Sequence, residues 1–339
     1  MGKIKVAIVD SGIDLDNTYL TKYIIKGKSF ILDESNRKII EGNDIRDSYG
    51  HGTSCAYTIL RQNESVEIFP IKILNSLGRT SSKCLLEGLK FLIDTDIKLI
   101  NISLATVNFD REKEFIDICK ELIDRNKIIV ASMDNMFRES LPAILPGVIG
   151  VRGKNLGFTN EYWYDKNKKI QCICDNEPIF VPKINEKGMK LFGHNSKATS
   201  LMTAKISKLL DLNKELKYRE VEELLLKYSS KTSWTSEELK EDKLPREIVE
   251  KRELEGEMKE KANELCKLII ETYDSKIEDI DFLYQYSLFN NFTKMNKHNC
   301  FDIIDKIENK FNIKIKYDEI SMSSFYSIYS LLDIVIKYS

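Results

Sequence analysis

The sequence predicts a three-layer α/β domain built on a mostly parallel central sheet, followed by a small all-α bundle. Two patterns carry this prediction. Up to about residue 232, short apolar β-type runs alternate with helix-length amphipathic stretches. Strands that are apolar throughout belong to parallel sheets covered on both faces by helices. From residue 262 onward there is no proline, and apolar residues recur at helical spacing.

The strands are Lys5–Val9, Ile68–Leu74, Lys98–Leu104, Lys127–Ser132 and Val148–Val151. Amphipathic helices fall at Ser82–Thr95 and Arg111–Arg125, and an apolar helix opens near Ser200 and runs to Leu210. The stretch 233–261 is dense in Glu and Lys, contains Pro245 and Gly256, and reads as a charged, partly helical linker. In 262–339, stripes at Leu265/Leu268/Ile269/Tyr273, Ile303/Ile304/Ile307/Phe311 and Phe325/Ile328/Leu332/Val335 predict three or four short helices. The domains are therefore 1–232, 233–261 and 262–339.

Composition narrows the function classes. The 339 residues are 42% hydrophobic and 31% charged, enough for a real core. Lys and Arg number 52 against 53 Asp and Glu, which argues against a nucleic-acid partner. No apolar run approaches the ~20 residues of a membrane span, and the N-terminus enters a strand pattern directly. No membrane association and a cytoplasmic location are expected. Seven scattered cysteines suit reduced thiols better than a disulfide framework. Cys172 and Cys174 form the one close pair, without the second pair that a zinc site needs. No metal and no cofactor are expected.

Four residues could carry chemistry. Asp10 ends the first strand, where open α/β sheets place their sites, although Asp-Ser-Gly is also a plain turn. His51, one of three histidines with 194 and 298, lies between Gly50 and Gly52 at the start of a helix, where glycines allow close backbone approach. Asn135 follows a buried strand, so its amide could point into a site. Ser200 opens a helix, either as a simple cap or as a nucleophile beside free first-turn N–H groups.

Asp, His, Asn and Ser occur in the order of one known arrangement of the Ser-His-Asp triad. Val6-Ala7-Ile8-Val9-Asp10-Ser11-Gly12-Ile13 and His51-Gly52-Thr53-Ser54-Cys55-Ala56 match two motifs of the subtilisin-like serine peptidases (subtilases), and residues 1–232 resemble that family. Ile71–Leu74, Ile100–Leu104 and Pro142–Val151 are similar to further segments of it. The family's Gly-Thr-Ser-Met-Ala is matched to Ala198-Thr199-Ser200-Leu201-Met202, with Ala204 for its closing proline. Asp134 and Ala105 stand where glycines are usual.

The resemblance implies a serine endopeptidase with a subtilisin-like fold. In it, Ser200 is the nucleophile, His51 the base, Asp10 its orienting carboxylate and Asn135 the oxyanion donor. It further implies that Ser103, Leu104 and Ala105 pair with an extended peptide substrate. Asp134 is either a subsite for a basic side chain or a solvated loop residue, and Cys55 is a packed helix residue. The short stretch from His51 to Ile71 lacks room for the family's calcium loop, so no structural calcium is expected, and the core is expected to fold without a pro-segment ahead of Asp10.

Asp302–Ile315 resembles the second helix and loop of acyl or peptidyl carrier proteins, with Leu265–Tyr273 and Phe325–Ile336 as flanking helices. Asn296-Lys297-His298 stands where carriers keep the phosphopantetheine serine, which implies a docking module for a maturation-pathway protein and no prosthetic arm. The leading expectation is removal of the leader from a ribosomally made, modified precursor peptide of bacteriocin type. The alternatives are a pseudo-protease scaffold and a general intracellular protease.

Overall fold

The protein is described by a computed structural model covering residues 2–33, 35, 37–157, 160–185, 188–240, 248–275, 277 and 279–339. The chain divides into two units. The first comprises Met1–Asn176, Val181–Gly188 and Gly193–Leu239; the second comprises Glu177–Phe180, Met189–Phe192 and Lys240–Ser339.

The first unit is the expected α/β architecture. Its strands are β1 (Ile4–Asp10), β2 (Lys28–Asp33), β3 (Lys38–Gly42), β4 (Val66–Lys72), β5 (Leu99–Ile102), β6 (Ile128–Ser132), β7 (Val148–Lys154), β8 (Tyr162–Tyr164) and β9 (Cys172–Asp175). They form one sheet in the order β3-β2-β4-β1-β5-β6-β7-β9-β8. The inner strands are parallel, with Val6 opposite both Ile68 and Leu99. Only the edge pairs β2/β3 and β8/β9 are antiparallel.

The helices are α1 (His51–Gln62), α2 (Ser82–Ile93), α3 (Glu112–Asp124), α4 (His194–Leu212) and α5 (Tyr218–Tyr228). Successive strand residues point to opposite faces. Ala7 and Val9 join the apolar cluster that α2 and α3 fill with Leu85, Leu89, Phe115 and Leu122. Val6, Ile8 and Asp10 therefore face the other side, where α1 and α4 pack on each other and on β1. That alternation aims the Asp10 carboxylate at α1.

A separate two-stranded ribbon pairs β10 (Ile179–Pro182) with β11 (Met189–Phe192). The second unit holds α6 (Gly256–Tyr273), α7 (Asp281–Gln285), α8 (Ile304–Phe311) and α9 (Ile328–Tyr338). The stripes around Leu265, Ile304 and Leu332 share one apolar core, which also takes in Phe180 from the ribbon. The local helical pattern did not anticipate the contribution of Phe180, Met189 and Leu191 to this core. Pro245, assigned to the linker, lies outside the described residues.

None of the seven cysteines forms a disulfide, and all are buried. Among the described residues no helix is long and apolar enough to cross a membrane.

Phe115 is fully buried between α3 and the sheet. Phe115→Ala should destabilise the first unit by about 3–5 kcal/mol. Urea unfolding should show it as a lowered midpoint with an unchanged slope.

Candidate active site

Asp10 is completely buried at the carboxyl end of β1. Its Oδ1 accepts the Ser11 N–H at 2.7 Å, leaving the carboxylate fixed toward α1. His51 Nδ1 lies 2.9 Å from Oδ1 and 2.8 Å from Oδ2. A neutral imidazole that donates from Nδ1 must accept at Nε2.

Helix α1 is built to put that ring there. Asp47, itself buried, accepts the Gly50 N–H at 2.7 Å through Oδ1. Through Oδ2 it accepts the Thr53 N–H at 3.0 Å and the Thr53 hydroxyl at 2.6 Å. It thus satisfies first-turn donors and complements the helix dipole. Gly50 has φ +91° and turns the chain into the helix. Gly52 is needed because a Cβ there would lie 2.4 Å from the Gly12 carbonyl oxygen. The helix can therefore approach the β1 loop only with glycine at this position.

The hydroxyl that meets His51 belongs to Ser196. Its Oγ is 3.0 Å from Nε2, and it also lies 3.3 Å from the Ser103 carbonyl oxygen. This corrects the assignment of Ser200 as nucleophile. Ser200 is fully buried one helical turn further on, with its hydroxyl donating to the Ser196 carbonyl at 2.9 Å.

The signal that separates the two serines is the helix start. Gly193 precedes α4, so Ser196 occupies the first turn and Ser200 the second. Matched at this register, the family motif becomes His194-Asn195-Ser196-Lys197-Ala198, and Ser200 takes the place of its closing proline.

Two further residues unnoticed in the sequence hold Ser196 in place. Asn195, 1% exposed, donates to the carbonyls of Met133 and Asp134, both at 3.0 Å, and accepts the Gly153 N–H at 2.8 Å. It thereby stitches the nucleophile turn to the loop bearing Asn135. Lys197 forms a buried ion pair at 2.5 Å with Asp175 on β9, anchoring the same turn from behind.

A cleft of about 290 Å³ contains His51 and Ser196 together with Ser103, Leu104, Ala105, Asp134 and Asn135. Asn135 is exposed on its rim. Asp134 is engaged by Arg138, whose Nε and Nη2 lie 2.9 and 3.2 Å from its two oxygens. This pairing holds the Asp134 carboxyl below its usual pKa and leaves little free charge to attract a basic substrate side chain. Larger hollows, such as the one of about 460 Å³ beside Arg37, Lys83 and Arg111, do not include the Ser196–His51 pair.

Cys55 Sγ lies 3.9 Å from both His51 Nδ1 and Asp10 Oδ2. Among the described residues, Asp10, His51 and Cys55 are the one group whose ligand atoms converge closely enough for a cation, all within 4.8 Å. A cation there would take the Nδ1 position and disable the base, so the cluster suits proton transfer rather than a resident metal.

Residues 2–164 match the subtilase family. A cell wall-associated protease of Bacillus subtilis (strain 168) is 29% identical over 253 residues, covering 70% of this chain and 27% of that protein. The chain thus spans about a quarter of that relative. The major intracellular serine protease of the same organism is 25% identical over 228 residues, covering 62% and 68%. Among solved structures, a cold adapted subtilisin-like serine proteinase superposes with a TM-score of 0.55 at 16% identity, over 68% of this chain and 85% of that one. A lanthipeptide protease gives 0.50 at 18% identity, over 66% and 78%.

The ring environment predicts a pH profile. Burial opposes a charge on His51, but the Asp10 carboxylate and the neighbouring Cys55 outweigh it and raise the imidazole pKa well above its usual value. A protonated His51 cannot accept the serine proton, so the acid limb of any activity profile should lie above pH 6.5. Asp10→Asn should lower activity on the order of 10⁴-fold and move that limb downward, as read by hydrolysis rates from pH 5 to 10. Residues 2–164 match the subtilase family, the fold is shared with a subtilisin-like serine proteinase, and Asp10, His51 and Ser196 form a continuous hydrogen-bonded series within it.

Proposed function

We propose that the protein is a serine endopeptidase acting through an acyl-enzyme. The observation that carries this is the unbroken relay from Asp10 through His51 to Ser196, lying in an open cleft. Ser196 Oγ attacks the peptide carbonyl carbon while its proton passes to His51 Nε2. The imidazolium, held by Asp10, then protonates the leaving amine as the C–N bond breaks. Water, deprotonated by the same ring, releases the acyl group.

The Ser196 N–H lies in the first turn of α4, whose leading N–H groups have no helical partners. With the Asn135 amide it would bind the tetrahedral oxyanion. The segment Ser103–Ala105 borders the cleft and would pair with an extended substrate.

The substrate we assign is a ribosomally made, modified precursor peptide, from which the enzyme removes the leader. A fold shared with a lanthipeptide protease supports this reading. A cytoplasmic location is supported by seven thiols without a disulfide and by the match to a protein named as intracellular. The C-terminal helices would dock a maturation-pathway protein. The pseudo-protease alternative rested on the altered motif around Ser200; with Ser196 as nucleophile, the motif's serine and alanine are both present.

Ser196→Ala should reduce peptide hydrolysis on the order of 10⁶-fold, whereas Ser200→Ala should retain activity within about tenfold. Asn135→Ala should lower kcat by about 10²–10³-fold. A precursor peptide should be cut at one bond, as seen by mass spectrometry of the products. Digestion of unfolded casein at many sites, with the precursor untouched, would contradict leader removal.

A further inference from the structure

Strand β5 is apolar except at one position. Leu99, Ile100 and Ile102 are fully buried, and so is the carboxamide of Asn101. Asn101 lies opposite Ile8 on β1, whereas Ile100 and Ile102 lie opposite Ala7 and Val9. It therefore shares the sheet face of Ile8, on which α4 packs. An unpaired amide there would be costly, and a leucine would fill the space without that cost.

Both ends of the amide are paired. Its Oδ1 accepts the Thr203 hydroxyl at 2.8 Å, and its Nδ2 donates to Ser103 Oγ at 3.0 Å. With an N–H donated to its oxygen, the Ser103 hydroxyl keeps its own proton for an onward bond. It donates to the Ser196 carbonyl at 3.4 Å, while the Ser196 hydroxyl reaches the Ser103 carbonyl at 3.3 Å. Thr203 follows Ser196 by about two turns of α4. A closed circuit results, from Ser196 along α4 to Thr203, across Asn101 to Ser103, and back to Ser196. All four residues belong to the first unit.

Two parts that the reaction needs in register meet on this circuit. Ser196 carries the attacking oxygen, and Ser103 begins the segment that borders the cleft. We propose that Asn101 is a positioning residue that fixes the nucleophile against the substrate-pairing segment. It does so by tying Thr203 to the end of β5 and by setting the Ser103 hydroxyl as a donor to the Ser196 carbonyl. This rests on the serine peptidase reading above.

The test uses the full-length chain and a fluorophosphonate probe, separating the maximal labelling rate (kinact) from the half-saturating concentration (KI). Asn101→Leu combined with Thr203→Val replaces both partners by apolar groups of like shape, which should leave the urea midpoint near its wild-type value. Its kinact should fall by up to about 10²-fold, as expected for a displaced reacting group, with KI unchanged. A packing role alone would move the midpoint and leave kinact as it was. Thr203→Ser, which keeps the donor, should label near the wild-type rate, and Thr203→Val should label more slowly. A folded double variant with wild-type kinact, whatever its midpoint or KI, overturns the proposal. If the double variant does not fold, the two single substitutions at 203 decide: faster labelling of Thr203→Ser than of Thr203→Val supports the proposal, and equal rates overturn it. A wild-type protein that takes no label would instead remove the serine peptidase reading itself.

Discussion

The hydrogen bond between His51 Nε2 and Ser196 Oγ joins side chains 145 positions apart in the chain. Neither residue is unusual alone. The imidazole is suited to act as a base because Asp10, on a buried strand end, holds its Nδ1 side and supports its positive form. The hydroxyl reaches the imidazole only because α4 starts where it does. Most of the first unit's architecture can be read as the means of holding these two helix N-termini against one strand end.

Several costly local features gain their sense from that requirement. Gly50 and Gly52 remove side chains where α1 turns and approaches the β1 loop. Asp47 is buried with both oxygens committed to α1. Lys197 and Asp175 carry two charges into the interior, an arrangement that seldom adds net stability and serves better to fix geometry. Asn195 ties the turn bearing Ser196 to the loop that carries Asn135, so the two proposed groups share one brace.

Much of this was legible in the sequence. Apolar runs such as Val6–Val9 and Ile128–Ala131 announced buried parallel strands, and the motifs around Asp10 and His51 singled out two side chains that lie within hydrogen-bond distance of each other. The serine was not legible from motif letters alone. Ala198-Thr199-Ser200-Leu201-Met202 and His194-Asn195-Ser196-Lys197-Ala198 each match the family pattern at two positions. What decides between them is helix register: the glycine at 193 ends the extended segment, and only the serine in the first turn faces the imidazole. The edge strand β3 and its neighbour β2 were missed because they are partly exposed and carry charged residues such as Lys28, Asp33, Lys38 and Glu41. The contribution of 177–180 to the second unit was missed because it depends on contacts with residues more than 140 positions away, which no local pattern encodes.

The central claim is that Ser196, not Ser200, is the reactive hydroxyl. Trypsin cleaves after Lys190, Lys197 and Lys205, so the two serines fall in separate peptides, 191–197 and 198–205. The most direct measurement is tandem mass spectrometry of the wild-type protein after reaction with a fluorophosphonate. The account predicts the phosphonyl mass on Ser196 in the first peptide, with the second unmodified. The same mass on Ser200 would contradict it.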